Sequence, residues 1–373
     1  MQTTSDKPNR LLSLDILRGI DIFMLAGGHF ILRGLTNLGA FGKGEFADAM
    51  RRQLAHVPWE GFVAWDLVMP LFLFMAGIAL PFSLVKYKTS AKTYLRILRR
   101  IVLLWILGMV VQGRLLSLDP KKISLYSNTL QAIAAGYLVT ALIFINIKNN
   151  RWRVFVAVLL FVVYWAGFTF FGDFTPTGNF AEAIDRAVLG RWRDGVTWKD
   201  GVWSFSPKYH YTWIWSSIGF ALTTLAGAFS GLMLKGEACA KKALRLFLFG
   251  CAFIVAGLLL SLQTPIIKPI WSASMVLYSG GICAVLMALT YWYIDVKGKD
   301  KWLYRFKIYG MNSIFAYVVS HVISFRSVSE SLFFGFARFL EKPGYEFLLG
   351  VSNAAILFVM LVMLYRKKIF IRV

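Results

Sequence analysis

Ten mainly apolar stretches punctuate the 373-residue chain, each close to the roughly 17 to 25 residues a helix needs to cross a bilayer. They run at about 14 to 34, 61 to 84, 99 to 117, 128 to 147, 153 to 172, 211 to 234, 243 to 263, 270 to 293, 306 to 325 and 347 to 365. The pattern predicts an all-α polytopic membrane protein of about ten transmembrane helices. The first and ninth stretches are the least apolar, and they carry polar residues of interest. Between the stretches lie mostly short connectors. Two are long, at about 35 to 60 and 173 to 210, and the second is rich in Gly, Asp, Arg and Trp, as a cover over a site or a solvated connector would be. Gly227 and Gly231 form a G-x-x-x-G in the sixth stretch, a signature of close helix packing.

Composition agrees with the pattern: 58% of residues are hydrophobic and 16% charged, too apolar for an ordinary soluble domain. A net charge of +22 would point to nucleic acid in a soluble protein. Its distribution points elsewhere. When connectors are assigned to alternate sides, 24 of the 41 Lys and Arg fall on the side of both termini, among them Lys86, Lys88, Lys92, Arg96, Arg99 and Arg100. By the positive-inside rule that side is the cytoplasm, so both termini are predicted cytoplasmic. The organisation expected is a cytoplasmic segment 1–13, then one transmembrane domain over 14–373, with the first span a retained signal anchor. Cys239, Cys251 and Cys283 are scattered and odd in number, which argues against disulfides or a bound metal.

The candidate chemistry gathers in His56–Ser83, H-V-P-W-E-G-F-V-A-W-D-L-V-M-P-L-F-L-F-M-A-G-I-A-L-P-F-S. Asp66 is predicted one to two turns inside the second span, where a carboxylate is costly enough to mark a functional site. His56, Trp59 and Glu60 precede it. A histidine beside a carboxylate suits a general base whose tautomer the acid sets. With alternate spans running outward and inward, all four histidines, His29, His56, His210 and His321, fall near the outer face. Gln131, Lys268, Ser272 and Ser274 add polar groups toward that leaflet. On the cytoplasmic half, Asp15 and Arg18 are spaced to pair on one helix face, and Asn312 and Ser313 line a polar path or bond a neighbouring helix. ATPase, serine-hydrolase and zincin motifs are absent from the sequence. A membrane-embedded transferase and a transporter both fit.

Five segments carry a resemblance. They are S-L-D-I-L-R-G at Ser13–Gly19; the H-x-x-W-x-G-x-x-x-x-D-L-V-x-P-x-F-L-F-x-x-G that begins at His56; L-Q at Leu130 and Gln131; K-P-I-W-S-A-S at Lys268–Ser274; and G-M-N-S-I at Gly310–Ile314, with a closing Y-R-K-K-I-F at Tyr365–Phe370. In this order and spacing the chain resembles the transmembrane acyltransferases typified by heparan-α-glucosaminide N-acetyltransferase, in a bacterial inner-membrane form. The resemblance implies a ten-helix domain that takes an acetyl group from cytosolic acetyl-CoA and delivers it to an amino sugar or glycan on the far side. The family's active-site histidine falls on His56, as general base or acyl relay. His29 and Asp66 join it as catalytic candidates; Trp59, Glu60, Gln131, Lys268, Trp271, Ser272 and His321 are the acceptor-side candidates. Asp15, Arg18, Asn312 and Ser313 are the donor-side ones. The expected partners are the bilayer, acetyl-CoA and the acceptor, with a second copy of the chain kept open and nucleic acid excluded.

The chain departs from that pattern at three places. Thr212, Trp213, Ile214 and Trp215 stand where relatives carry an acidic-Pro-Glu-Gly turn, Ala132 follows the Leu-Gln where arginine is usual, and His29 replaces an asparagine. The competing reading is a proton-coupled transporter of amino sugars using His56, Asp66 and His29. A third is an inactive relative with a structural role.

Overall fold

The computed structural model describes residues 11–84 and 89–371; residues 1–10, and Lys86 and Lys88 of the basic cluster, lie outside the described residues. The first predicted span is a continuous helical run, α1 (Leu12–Phe23), a π-helical turn (Met24–Gly28) and α2 (His29–Leu35). A short amphipathic helix, α3 (Glu45–Gln53), follows. The remaining large helices are α4 (Val68–Leu84), α5 (Ala91–Val111), α6 (Thr129–Asn146), α7 (Asn150–Phe170), α9 (Ser216–Leu234), α10 (Ala240–Ser261), α11 (Ala273–Tyr291) and α15 (Lys342–Arg366). Between them stand α8 (Phe180–Leu189), a hairpin of β1 (Val196–Lys199) and β2 (Val202–Phe205), and α12 (Tyr304–Met311), α13 (Ser313–Val322) and α14 (Phe325–Phe333).

Seven helices among the described residues are long and apolar enough to cross a membrane, corresponding to predicted spans 2, 4 to 8 and 10. The protein is therefore a multi-pass membrane protein. The other three predicted spans are helical yet miss that standard, each for a physical reason. The first carries Asp15, Arg18 and Asp21. The third begins at Ala91 rather than 99 because Lys92, Arg96, Arg99 and Arg100 continue the helix, being good helix formers that hydropathy reads as loop. The ninth is interrupted at Asn312, whose backbone (φ −124, ψ 39) separates α12 from α13.

Burial orders the bundle. The most apolar stretches of α9 and of the span Ala64–Ser83, which contains most of α4, are 72% and 61% buried, whereas those of α7 and α10 are only 17% and 22%. The exposed Phe155, Val158, Leu248 and Leu259 on α7 and α10 would be an aggregation hazard in water and are an ordinary lipid-facing surface in a bilayer. In the centre, backbones approach closely. A Cβ on Gly227 would stand 2.0 Å from the Phe74 carbonyl oxygen, one on Gly231 2.6 Å from that of Ile78, and one on Gly77 2.0 Å from that of Thr224. The predicted G-x-x-x-G is thus the seam between α9 and α4. Gly19 and Gly310, from two different sequence motifs, form a second such contact between α1 and α12.

The long connector 173–210 is folded rather than loose. Asn179 caps α8 by accepting from the Glu182 amide at 2.8 Å, and the buried Arg193 is ion-paired with the buried Glu182. Leu125 N donates to Trp192 O at 2.9 Å, tying this connector to the segment that leads into α6.

Candidate active site

The chain between α3 and α4 does not enter the helix at Gly61, as hydropathy suggests. Gly61 takes a left-handed φ of 121° that side-chain-bearing residues avoid, and its amide donates to Ile266 O at 2.9 Å. Glu60 forms an antiparallel bridge with Ile267. This pairing brings the segment before α11 against the segment before α4. A 3-10 turn over Ala64–Leu67 then leads into α4, with Asp66 in it. Asp66 therefore precedes the α-helix instead of lying inside it, and its carboxylate accepts from the Val63 amide at 3.3 Å.

Three side chains meet there. His56 Nδ1 lies 2.6 Å from Asp66 Oδ1, Lys268 Nζ lies 3.1 Å from the same oxygen, and Lys268 Nζ is 3.3 Å from His56 Nδ1. An ionised carboxylate only accepts, so the short Nδ1 contact requires the proton on Nδ1. That leaves Nε2, on the other side of the ring, as the available lone pair. Exposure follows the division of labour: the side chains of Asp66 and Lys268 are 2% and 9% exposed, that of His56 46%. Burial pushes the Lys268 ammonium below the ordinary lysine range, while the Asp66 charge opposes that shift.

His56 and Lys268 line a cavity of about 360 Å³ together with Trp65, Asn128, Asp194 and Trp213. A second cavity, of about 250 Å³, is lined by Arg18, Arg100, Gly310, Ser313 and Tyr317. Thr129, at the start of α6, lines both. Arg100 lies over the Tyr137 ring at 4.1 Å, and its buried Nε has no hydrogen-bond partner.

The other sequence-predicted residues divide into three groups. His29 donates from Nε2 to Leu54 O at 2.9 Å and stacks on Trp65 at 4.1 Å, so one indole separates it from His56. Trp59 donates to Phe174 O at 2.8 Å and meets His210 edge-on, and Glu60 is exposed; these flank the site. On the second cavity are Arg18 and Ser313, with Asp15 4.0 Å from the Arg18 guanidinium.

The third group has structural engagements. Gln131 bonds Ser127 N and Leu125 O. Ser272 caps α11 and bonds Pro265 O. Trp271 is buried in a core cluster, its indole N–H donating to Thr223 Oγ1 at 3.2 Å. Asn312 holds the carboxyl-terminal segment through Ile369 O and Ile371 N. His321 bonds Tyr317 O on its own helix and does not line the His56 cavity.

Two acids escaped the sequence reading because only the folded connector brings them in. Asp185, on α8, accepts from the Trp213 and Ile214 amides at 2.8 and 2.9 Å and so anchors the start of α9. Burial pushes its carboxyl up to about 6, against those two hydrogen bonds. Asp194 lines the His56 cavity.

Residues 10–176 match the family model described as heparan-alpha-glucosaminide N-acetyltransferase, catalytic. A human protein, heparan-alpha-glucosaminide N-acetyltransferase, is 25% identical over 83% of this chain and 52% of its own length. The chain thus spans about half the length of that relative. The matched segment runs from α1 past the His56–Asp66 pair to the end of α7, so the resemblance read from the motifs holds: the chain is similar to the heparan-alpha-glucosaminide N-acetyltransferases in the part that contains their catalytic region.

Proposed function

We propose that the chain is an acetyl-CoA-dependent acyltransferase that acetylates an amino sugar or an amine-bearing glycan across the membrane, with His56 as general base. The single observation that carries the reading is the Nδ1 contact of His56 with buried Asp66, at the wall of a cavity that shares the lining residue Thr129 with a second, arginine-bearing cavity. In the ten-span arrangement with cytoplasmic termini, Arg18 and Arg100 are on the cytoplasmic half and His56 on the outer half. A bacterial inner membrane is the setting proposed.

The chemistry follows from the charges. The unpartnered Arg100 Nε and the Arg18 guanidinium suit the phosphates of CoA, and Thr129, which lines both cavities, marks where the acyl arm would have to cross. The acceptor nitrogen attacks the thioester carbonyl carbon as Nε2 of His56 takes its proton. The carbon–sulfur bond then breaks, and the imidazolium returns the proton to the departing sulfur. Acetyl amide and free CoA thiol result, with no change in redox state. Asp66 keeps Nδ1 protonated and the ring oriented. Lys268 balances the Asp66 charge, so the dyad is buried without net charge.

Detergent-solubilised protein given labelled acetyl-CoA and glucosamine should yield labelled acetylated product, and His56→Ala should abolish it. Turnover that survives the substitution overturns the role of His56. Uptake of amino sugar into vesicles lacking any acyl donor would indicate transport instead.

A further inference from the structure

Part of the wall of the His56 cavity comes from the connector 173–210 and the approach to α9. Among the residues lining that cavity, Asp194 supplies the carboxylate, and the lining cation, Lys268, is committed to Asp66. Asp194 is held in place. Oδ2 accepts from the Tyr209 hydroxyl at 2.5 Å and Oδ1 from the Gly195 amide at 3.0 Å. Each oxygen keeps a second acceptor site. The segment beneath it is pinned by the Ser206 N to Gly195 O bond at 2.8 Å and by the Arg193–Glu182 ion pair. Arg193 is thereby engaged through one end of its guanidinium, which also donates to Tyr211 O at 3.2 Å; its buried Nε has no hydrogen-bond partner, and its charge and that of Arg114 both act on Asp194.

Aromatic rings line the same cavity, and one of them, Tyr209, contacts this carboxylate. Tyr209 and Tyr211 lie 5.7 Å apart, and Trp213 stacks on Tyr126 at 5.1 Å; Tyr209, Tyr211 and Trp213 all line the cavity. Ring faces carry negative electrostatic potential, which attracts ammonium groups and polarised C–H bonds. A rigid carboxylate amid such faces is a receptor for a small, hydroxylated, cationic molecule. The cavity volume of about 360 Å³ falls in the range of small-molecule sites, about 300–1,000 Å³.

We infer that Asp194, oriented by Tyr209 and flanked by Tyr211 and Trp213, forms the acceptor subsite and selects acceptors that carry a free amine on a hydroxylated ring. This rests on the transferase reading above for its place in the reaction. Asp194 gathers the ammonium form that predominates in solution and holds it in the cavity that His56 lines; one proton passes to solvent, and the free amine so formed is the nucleophile whose remaining proton His56 takes in the step above. Unmodified sugars and already acetylated ones lack the charge and are discriminated against.

The test is binding of glucosamine, N-acetylglucosamine and glucose to the full chain in detergent, followed by tryptophan fluorescence, without acetyl-CoA. Glucosamine should bind the native protein most tightly, and Asp194→Asn, which can still accept from Tyr209, should weaken it about 10- to 100-fold, the worth of one charge-assisted contact. The other two sugars should be little affected. Tyr209→Phe, which retains the carboxylate, should keep the preference for glucosamine. Equal glucosamine affinity in Asp194→Asn and native protein, or no preference in the native protein, overturns the inference. Charge-dependent binding with no acetyl transfer would sustain the subsite and remove the transferase reading; transfer with an indifferent Asp194→Asn variant would do the reverse.

Discussion

Lys268 Nζ reaches Asp66 Oδ1 at 3.1 Å across 202 positions of sequence, joining the segment before α11 to the turn before α4. Removing one member of a buried ion pair leaves the other charge uncompensated, at a cost of about 3–5 kcal/mol. Lys268→Met should therefore lower thermal stability in detergent markedly and reduce kcat. The double variant Lys268→Met, Asp66→Asn should recover much of the stability but not the activity. A stable, fully active Lys268→Met protein contradicts this account.

Asp66→Asn tests orientation. An asparagine oxygen still accepts from Nδ1, but its amide offers the ring an N–H and so permits the opposite tautomer. The expected loss in kcat is about 100- to 10,000-fold, the usual worth of positioned acid–base catalysis, with KM for acetyl-CoA unchanged. Steady-state kinetics on both substrates would settle it.

Arg100→Gln removes the guanidinium with the unpartnered Nε. A rise of about tenfold in KM for acetyl-CoA is expected, without change in KM for the acceptor. Equal KM for acetyl-CoA in both proteins would place donor binding elsewhere.

Asp185 bears on stability against pH. Burial raises its folded-state pKa to about 6, above the unfolded value of about 3.9. The folded form thus binds more protons between these values, and stability falls as pH rises from about 4 to 6. Asp185→Asn should flatten that part of the profile. Melting curves from pH 4 to 7 that show the same slope in both proteins would remove Asp185 from the explanation.

Gly227→Ala would set a Cβ 2.0 Å from the Phe74 carbonyl oxygen. Backbone cannot yield as a side-chain tip can, so α4 and α9 must part, at a cost of about 1–3 kcal/mol. A melting temperature several degrees lower is expected. Gly335→Ala, with nothing within 4 Å of the added Cβ, serves as the control.

Much of the fold was legible in the chain. A helix in lipid must satisfy its own backbone, so a run of apolar residues suffices to announce one, and seven of the predicted spans appear on that ground alone. Where charge intrudes, hydropathy misplaces the boundary, as at Ala91, and it has no means of seeing a break such as Asn312. The G-x-x-x-G of α9 was legible too, though its partner, Gly77 on α4, was not.

The neighbourhood of His56 and Asp66 was also written locally, ten positions apart in one segment. Sequence by itself determined that a histidine and an acid stand together near the start of an apolar span. Tertiary structure decided the rest: that Lys268 shares the acid, that Trp65 stands between His29 and His56, that Gln131, Trp271 and Asn312 are engaged in holding backbone and core, and that Asp194 and Tyr209 line the cavity that His56 lines. Hydropathy and motif spacing are properties of consecutive residues. Which side chains meet across a bundle depends on helix rotation, close glycine contacts and the path of a folded connector, and those arise only when distant segments pack.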